Sequence, residues 1–486
     1  MKAKFTILIL LFGLFSQLGI AQNSSDAYRY SSYDILGTAR FVALGGAFGA
    51  VGGDLSTLNY NPAGLGIFQS TEITFSPGLN YTSTSSIYNG SNGLDAKTNI
   101  NPGLYGLVTS FRYKEGTKGY ASGWKALNYG FSVSRIKNFN NTIYIAGDTQ
   151  SSSLADVWRD NANGTFPEDL NPFSTGLAWD AYILDTVPGN PSQYYSGASL
   201  GGVSQSYWEE SKGYINEMSF AVSANYDNKL LLGISIGLPN LHYRRQIEYN
   251  EYALGSPEVY EFDELSYKEK LFTDGTGVNA KIGFIYVASP NIRISGAFHT
   301  PTYYGDLLDE YSSSVRSVMG DANVYSSESP IGNMTYNLVT PLRAMAGVSF
   351  IMEKKGFISL DYEYMDYGNS KLSSNSYSFT EENFDIHSDF QATHNLRIGG
   401  EWKMDYFTLR GGYNIIGSPM NAQVNEILSS AYSWGMGYRI ANLYLDFAYS
   451  KRTTDSLFYI YNSNYINPAS LANTTTNFIF TVGMKF

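Results

Sequence analysis

The sequence predicts an all-β fold: a transmembrane antiparallel β-barrel of about fourteen strands, with a small N-terminal hatch, or plug, inside the lumen. Three observations carry that expectation. The chain opens on a secretion signal, its composition is aromatic and glycine-rich but poor in charge, and its apolar residues recur at every second position in runs joined by alternately short and long connections.

Lys2 and Lys4 precede an apolar run from Phe5 to Leu18, and Gly19-Ile20-Ala21 supplies small residues where a signal peptidase cuts. Residues 1–21 therefore read as a secretory signal peptide, cleaved after Ala21. A spanning helix needs about 20 apolar residues, and no other stretch approaches that length. A closed barrel remains as the way across a bilayer, because lipid offers no partner to an open strand edge. With no cysteine in the chain, an acylated lipoprotein anchor, a disulfide scaffold and a thiolate metal site are all excluded.

There are 41 tyrosines, 28 phenylalanines and 48 glycines, against only 15% charged residues. A barrel with a polar inside and an aromatic-girdled outside has this balance, since apolar residues fill only alternate strand positions. The net charge of -11 argues against a nucleic-acid partner, which calls for a basic surface.

Period-two alternation is clearest in the C-terminal half. Ile358, Leu360, Tyr362 and Tyr364 oppose Ser359, Asp361 and Glu363; Leu396, Ile398 and Trp402 oppose Asn395, Arg397 and Glu401. Phe407, Leu409 and Tyr413 oppose Thr408, Arg410 and Asn414, and further runs cover 432–439, 443–450 and 477–486. Upstream candidates lie near 71–81, 103–113, 127–138, 214–227, 230–248, 270–288, 292–304 and 335–352. The total is about fourteen, an even number as bacterial barrels require. The connections at 353–356, 404–406 and 441–442 are short, whereas 369–390, 417–427 and 453–473 are long. Short turns belong on the periplasmic side of an outer membrane, which places both chain ends there.

Residues 70–486 thus form the expected barrel, with its longest external loop at 139–213. Stretches 154–161 and 175–186 of that loop have helical character. A connection so long is expected to fold over the mouth or bind something. The terminal Phe486, on an alternating strand, matches the mark by which barrel-assembly machinery recognises its clients. That machinery and outer-membrane lipids are expected partners.

Residues 22–69 differ in texture: Ala39-Arg40-Phe41-Val42-Ala43-Leu44-Gly45-Gly46-Ala47-Phe48 leads through Gly52-Gly53-Asp54 to Asn59-Tyr60-Asn61-Pro62-Ala63-Gly64-Leu65. So many glycines build neither a stable helix nor an independent core, and the segment needs a surrounding wall. Within Asn61-Pro62-Ala63, Pro62 fixes its own φ and holds Asn61 extended, leaving the Asn61 amide to bond nearby backbone.

This block, with later echoes such as "LRIGGEW", "LRGGYNIIGSPM" and "LYLDFAYS", resembles the FadL/TodX outer-membrane transporters, channels for long-chain fatty acids and aromatic hydrocarbons. The resemblance spans nearly the whole mature chain outside the long loops. It implies a fourteen-stranded barrel closed by a hatch, capture of ligand by external loops, an inner site beside the hatch, and sideways release through a gap in the third strand, where this chain offers Gly130. Pro77-Gly78 and Gly237-Leu238-Pro239 are further candidate wall irregularities, or else prolines near strand ends.

No enzyme is expected. His394 and Asn395 are strand neighbours pointing to opposite faces, and no Gly-x-Ser-x-Gly elbow occurs. His242, His299, His387 and His394 are dispersed, so no metal site or cofactor is expected. The lumen-facing Asp361, Glu363, Arg397, Glu401, Arg410 and Asp446 read first as braces for barrel and plug; Arg397 or Arg410 could instead grip a ligand carboxylate. The expected function is passive uptake of a hydrophobic or amphipathic small molecule, fatty-acid-like or aromatic, across a bacterial outer membrane. The alternatives are a structural or secretion-system docking barrel using its external loops, and a haemin-binding receptor.

Overall fold

The computed structural model describes residues 24–486 except 151, 199, 256–260, 321, 354 and 423. The expected signal peptide lies outside the described residues. Fourteen antiparallel strands form a closed ring. They are β1 (Glu72–Tyr88), β2 (Ser91–Arg112), β3 (Trp124–Asn138, resumed at Asn141–Thr149), β4 (Val203–Tyr226), β5 (Leu230–Ala253), β6 (Phe262–Ser289) and β7 (Ile292–His299, resumed at Tyr303–Met319). The ring continues through β8 (Gly332–Val339, resumed at Arg343–Met352), β9 (Gly356–Asp366), β10 (Ala392–Met404), β11 (Phe407–Ile416), β12 (Leu428–Ile440), β13 (Leu443–Phe458) and β14 (Ala469–Lys485). Pairing of β1 with β14, in the register Ile73↔Met484, closes it.

Alternation sets the two faces. On β9, Ser359, Asp361 and Glu363 are buried inward while Ile358, Leu360 and Tyr362 face out; β5 presents Leu232, Ile234, Ile236 and Leu238 to the outside. These outward apolar side chains recur around the ring, and Trp124, Trp402, Tyr406 and Phe407 lie near the short turns. Such a belt suits lipid, with aromatic rings at the interface.

The outer half of the barrel departs from the expected boundaries. A loop was expected between 81 and 103, but β1 and β2 continue to a two-residue turn at Asn89 (φ 46°) and Gly90 (φ 85°), the left-handed pair that a tight hairpin needs. Ser, Thr and Asn populate both faces there, so the alternation vanishes from the sequence. The expected external loop at 139–213 is likewise too long. Its ends are strand, Asn141–Thr149 pairing with β4 from Ser211 to Val203, so the irregular insertion shrinks to about 150–202. It folds into helices Leu154–Ala162 and Thr175–Asp180 and a small hairpin, Asp185–Val187 with Asn190–Tyr195. Residues 181–186, expected to be helical, form a turn and part of that hairpin.

This insertion caps the mouth. Trp158 meets the Tyr267 ring at 5.6 Å, Phe173 meets Tyr311 at 4.7 Å, and Ser313 donates to the Phe173 carbonyl at 2.7 Å. The buried Glu251 at the outer end of β5 accepts from the Leu154 amide at 2.9 Å, from Gln205 at 3.0 Å, and from the Ser153 and Tyr249 hydroxyls.

The N-terminal segment lies inside the ring. Ser24–Ser31 is a helix placed in the upper lumen, where Tyr30 donates to Thr273 at 2.9 Å and packs on Phe139 and Tyr243. The described chain therefore begins within the lumen, whereas a periplasmic start was expected. Its buried face, Ala27 and Tyr30, needs apolar neighbours, which the wall and the loop helix Thr380–Asp389 provide. From there the segment descends through short turns, each started by a polar cap: Thr38 for Ala39–Ala43, Asp54 for Leu55–Asn59 and Asn61 for Pro62–Ile67.

Candidate functional site: a lumenal cavity beside a seam in the wall

The N-terminal segment is held by acceptors and by missing side chains. Asp361 accepts the Phe48 and Gly49 amides, both at 2.6 Å. Asn61 Nδ2 donates to the Gly49 carbonyl at 2.9 Å and the Phe284 carbonyl at 3.3 Å, while its Oδ1 accepts the Ala63 amide at 3.2 Å. Pro62 starts the turn Pro62–Ile67 beneath it. The wall makes room with inward glycines: a Cβ on Gly233 would overlap Pro62 and the Ala63 amide, and one on Gly283 would overlap Asn61.

Two charge networks divide the predicted residues between them. In the first, Glu401 accepts from Arg40 at 2.8 Å and Arg410 at 2.9 Å, and Arg410 reaches Asp446 at 2.6 Å. The Glu401, Arg410 and Asp446 side chains are sealed, so Arg410 cannot receive a ligand; it braces. In the second, Glu363 pairs with Arg397 at 2.9 Å and with Arg343, and accepts from Asn395 at 2.9 Å. Arg397 also donates to the Tyr60 hydroxyl at 2.6 Å.

The second network borders a lumenal cavity of about 350 Å³. Tyr28, Ile35, Leu36, Phe41 and Val42 of the N-terminal segment line one side. Asparagine, threonine and serine side chains of β1, β3 and β11 to β14 line the other, among them Asn80, Asn414 and Asn473. Asp34 spans the cavity's edge. It meets Arg452 at 3.0 Å, Lys137 at 3.4 Å and the Asn138 amide at 3.0 Å. Burial raises the Asp34 carboxyl, but Lys137, Arg452 and that amide overcome it and hold it at about 2.

Beside the cavity the wall has a seam. The β2–β3 ladder runs only from Arg112↔Ala126 to Leu104↔Ser134; beyond it β2 pairs with β1, and β3 pairs with β4. Three features coincide there: the register shift between Ser76 and Gly78 flanking Pro77, the left-handed Gly103 (φ 63°) opposite, and the break in β3 after Asn138. Gly130 is not the break; it is laddered and faces Leu58 and Leu65. Pro239 makes no bulge either, because β4 pairs through it and the β5–β6 register is the same before and after. Being unable to donate, it only interrupts that ladder between Gly237 and Asn240.

Outside the seam the β1–β2 hairpin leans onto β4, with Lys97 at 2.9 Å from Glu210 and Trp208 donating to Asp95 at 3.1 Å. Below it on the outer face lies an apolar depression of about 410 Å³, between Leu107, Phe131, Phe220 and Ile234 over Gly130 and Ala221.

Asp34, Lys137, Arg343 and Arg452 were missed in the sequence. Arg343 and Arg452 carried a signal, since Arg343 shares inward parity with Met345, Gly347 and Ser349 and Arg452 shares it with Asp446, Ala448 and Ser450. The histidines stay apart: His299 meets the Tyr60 carbonyl in the lumen, while His242 pairs with Asp274 and His394 with Tyr362.

No protein-family model and no curated protein matches the chain. Solved structures do. A FadL homologue of Pseudomonas aeruginosa aligns over 93% of this chain and 99% of its own, at 12% identity and a TM-score of 0.57. The toluene transporter TodX of Pseudomonas putida aligns over 93% and 99% at 14% identity with a TM-score of 0.51, and TbuX, a toluene transporter of Ralstonia pickettii, over the same shares at 14% and 0.50. The chain has the FadL-type barrel fold.

Proposed function

We propose that this protein is a passive channel of the bacterial outer membrane that takes up hydrophobic or amphipathic small molecules. One observation carries the reading: a lumenal cavity lies directly beside a stretch of wall with no backbone ladder across it. An ordinary structural barrel has no use for that pairing. The FadL-type fold and the transporters that share it point the same way.

In this reading ligand passes the cap, enters the cavity past Asp34, and leaves sideways between β2 and β3. The apolar depression below receives its hydrocarbon part, where burial contributes about 25 cal/mol per Å². The N-terminal segment acts as a hatch that blocks the straight path, with Asn61, Pro62 and Ala63 as its fixed floor. Uptake of labelled fatty acids and toluene by cells with and without the protein tests this; equal uptake overturns it.

A second reading, a docking barrel for a protein partner, is favoured by the exposure of Leu200, Tyr182 and Phe166 on the cap. A stoichiometric partner recovered in mild detergent, with no lipid-like ligand, would support it.

A further inference from the structure

We infer that the long turn at the foot of β2 and β3 binds an anionic phospholipid of the periplasmic leaflet. Its phosphate sits on the turn's lysines, and an acyl chain runs up the outer wall into the apolar depression. This stands apart from the uptake reading, since it needs only a barrel in the outer membrane.

Five of the six turns at this end of the barrel hold two or three residues each; the sixth, 113–123, holds eleven. Lys114 and Lys118 lie exposed within it, with Arg112 and Lys125 at its two ends. Against these four cations stands one acid, Glu115, an excess of three positive charges in a chain whose net charge is -11. Asp227 of the neighbouring turn lies 3.9 Å from its own Lys229. Among the described residues none of the four cations is in an ion pair, whereas the lumenal cations hold Asp34, Glu363 and Glu401.

Lys125 shows which way the site faces. A register shift between Trp124 and Ala126 leaves it outside the β3–β4 ladder, and it shares outward parity with Leu127, Tyr129 and Phe131. Its ammonium lies 3.7 Å from the centre of the Tyr120 ring, and Trp124 packs edge-on against Tyr226 at 5.2 Å. Rings at this level mark the boundary between lipid and water. From Lys125 to Phe131 the strand rises about 20 Å, or about 15 Å along the membrane normal at a barrel's usual tilt. That is half of a hydrocarbon core about 30 Å thick, the reach of one leaflet's acyl chain. Phe111 and Leu127 line the way, and Leu107, Phe131, Phe220 and Ile234 bound the depression at its top. A ligand leaving by the seam would displace the chain tip there. A zwitterionic headgroup brings its own ammonium, which an excess of lysines repels; a phosphodiester alone only accepts from them.

Native mass spectrometry of the full-length protein, released from detergent, compares dioleoyl phosphatidylglycerol with dioleoyl phosphatidylcholine, which has the same chains and phosphate but an added cation. The inference expects phosphatidylglycerol to be retained about tenfold more tightly. Lys114→Gln with Lys118→Gln and Lys125→Gln should bring the two lipids level, and these side chains lie outside the lumen, so the barrel should still fold. Glycerophosphoglycerol, the same headgroup without chains, and inorganic phosphate should not compete. Equal retention of both lipids by the native protein, or a preference unchanged in the triple variant, overturns the inference. Full competition by the chainless headgroup also overturns it, leaving only an ion-binding surface. An acidic periplasmic protein that binds the native turn but not the variant, with the lipid preference intact, would give the turn to a protein partner and overturn it equally.

Discussion

Arg40 and Glu401, remote in sequence, meet at 2.8 Å inside the barrel, and a second guanidinium nitrogen lies 3.3 Å from the other carboxylate oxygen. This forked pair ties the N-terminal segment to β10. Glu401→Gln should leave Arg40 and Arg410 without their shared charge, and breaking such a buried pair costs about 3–5 kcal/mol. Thermal unfolding in detergent should show a lower midpoint, with earlier proteolysis of residues 24–69 than of the barrel. An unchanged midpoint and cleavage order would mean that the pair does not anchor the segment.

Gly233 gives a steric test of the same arrangement. Gly233→Leu should displace the turn Pro62–Ile67 while the ring still closes, raising planar-bilayer conductance and sensitivity to large antibiotics. Gly411→Ala is the control, because its added Cβ meets nothing nearer than 3.9 Å. Equal conductance in the two variants would argue that the segment does not block the lumen.

Lys97 and Glu210 strap the hairpin over the seam. Both are partly exposed, so the pair contributes about 0–1 kcal/mol to stability. Lys97→Ala and Glu210→Ala should therefore barely move the unfolding midpoint yet speed uptake, and the double variant should be no faster than either single. Additive effects would show that the two residues act separately.

Glu251 sets the pH response of the cap. Burial pushes its carboxyl above the usual range, although bonds from Ser153, Tyr249, the Leu154 amide and Gln205 pull it partly back. A raised folded-state pKa means that the docked cap binds the proton more tightly than the freed one. Docking should therefore weaken as pH climbs from about 4.3 through the raised value. Hydrogen exchange over residues 153–162, corrected for intrinsic rates, should show more protection at low pH, and Glu251→Gln should flatten that dependence. The same dependence in the variant would remove Glu251 as its cause.

The legible parts of the fold were those where chemistry differs across the wall. On β9, β10 and β12 lipid demands apolar residues on one face only, and the expected runs fall within a few residues of the strands. The upper halves of β1, β2 and β4 rise beyond that constraint, so Ser83, Ser85 and Asn99 signal nothing about direction. Asp361, Glu363, Arg397, Glu401 and Arg410 were readable because a charge on the inward parity of a strand stands out. Asp34, on irregular chain, has no parity to betray it, and the seam between β2 and β3 arises from pairing between distant residues, of which Pro77-Gly78 in β1 left the one local mark that was read.

In the proposed route, ligand leaves the cavity through that seam. Because the chain has no cysteine, Asn101→Cys with Ile136→Cys can be bridged without competing sites by a bis-methanethiosulfonate linker, which forms a disulfide to each cysteine with loss of sulfinate and is cleaved by a reductant. Uptake of labelled ligand into proteoliposomes should fall to the protein-free rate when the bridge is made and return when it is cleaved. Uptake that persists at the unbridged rate, with cross-linking complete, would contradict a lateral exit at this position.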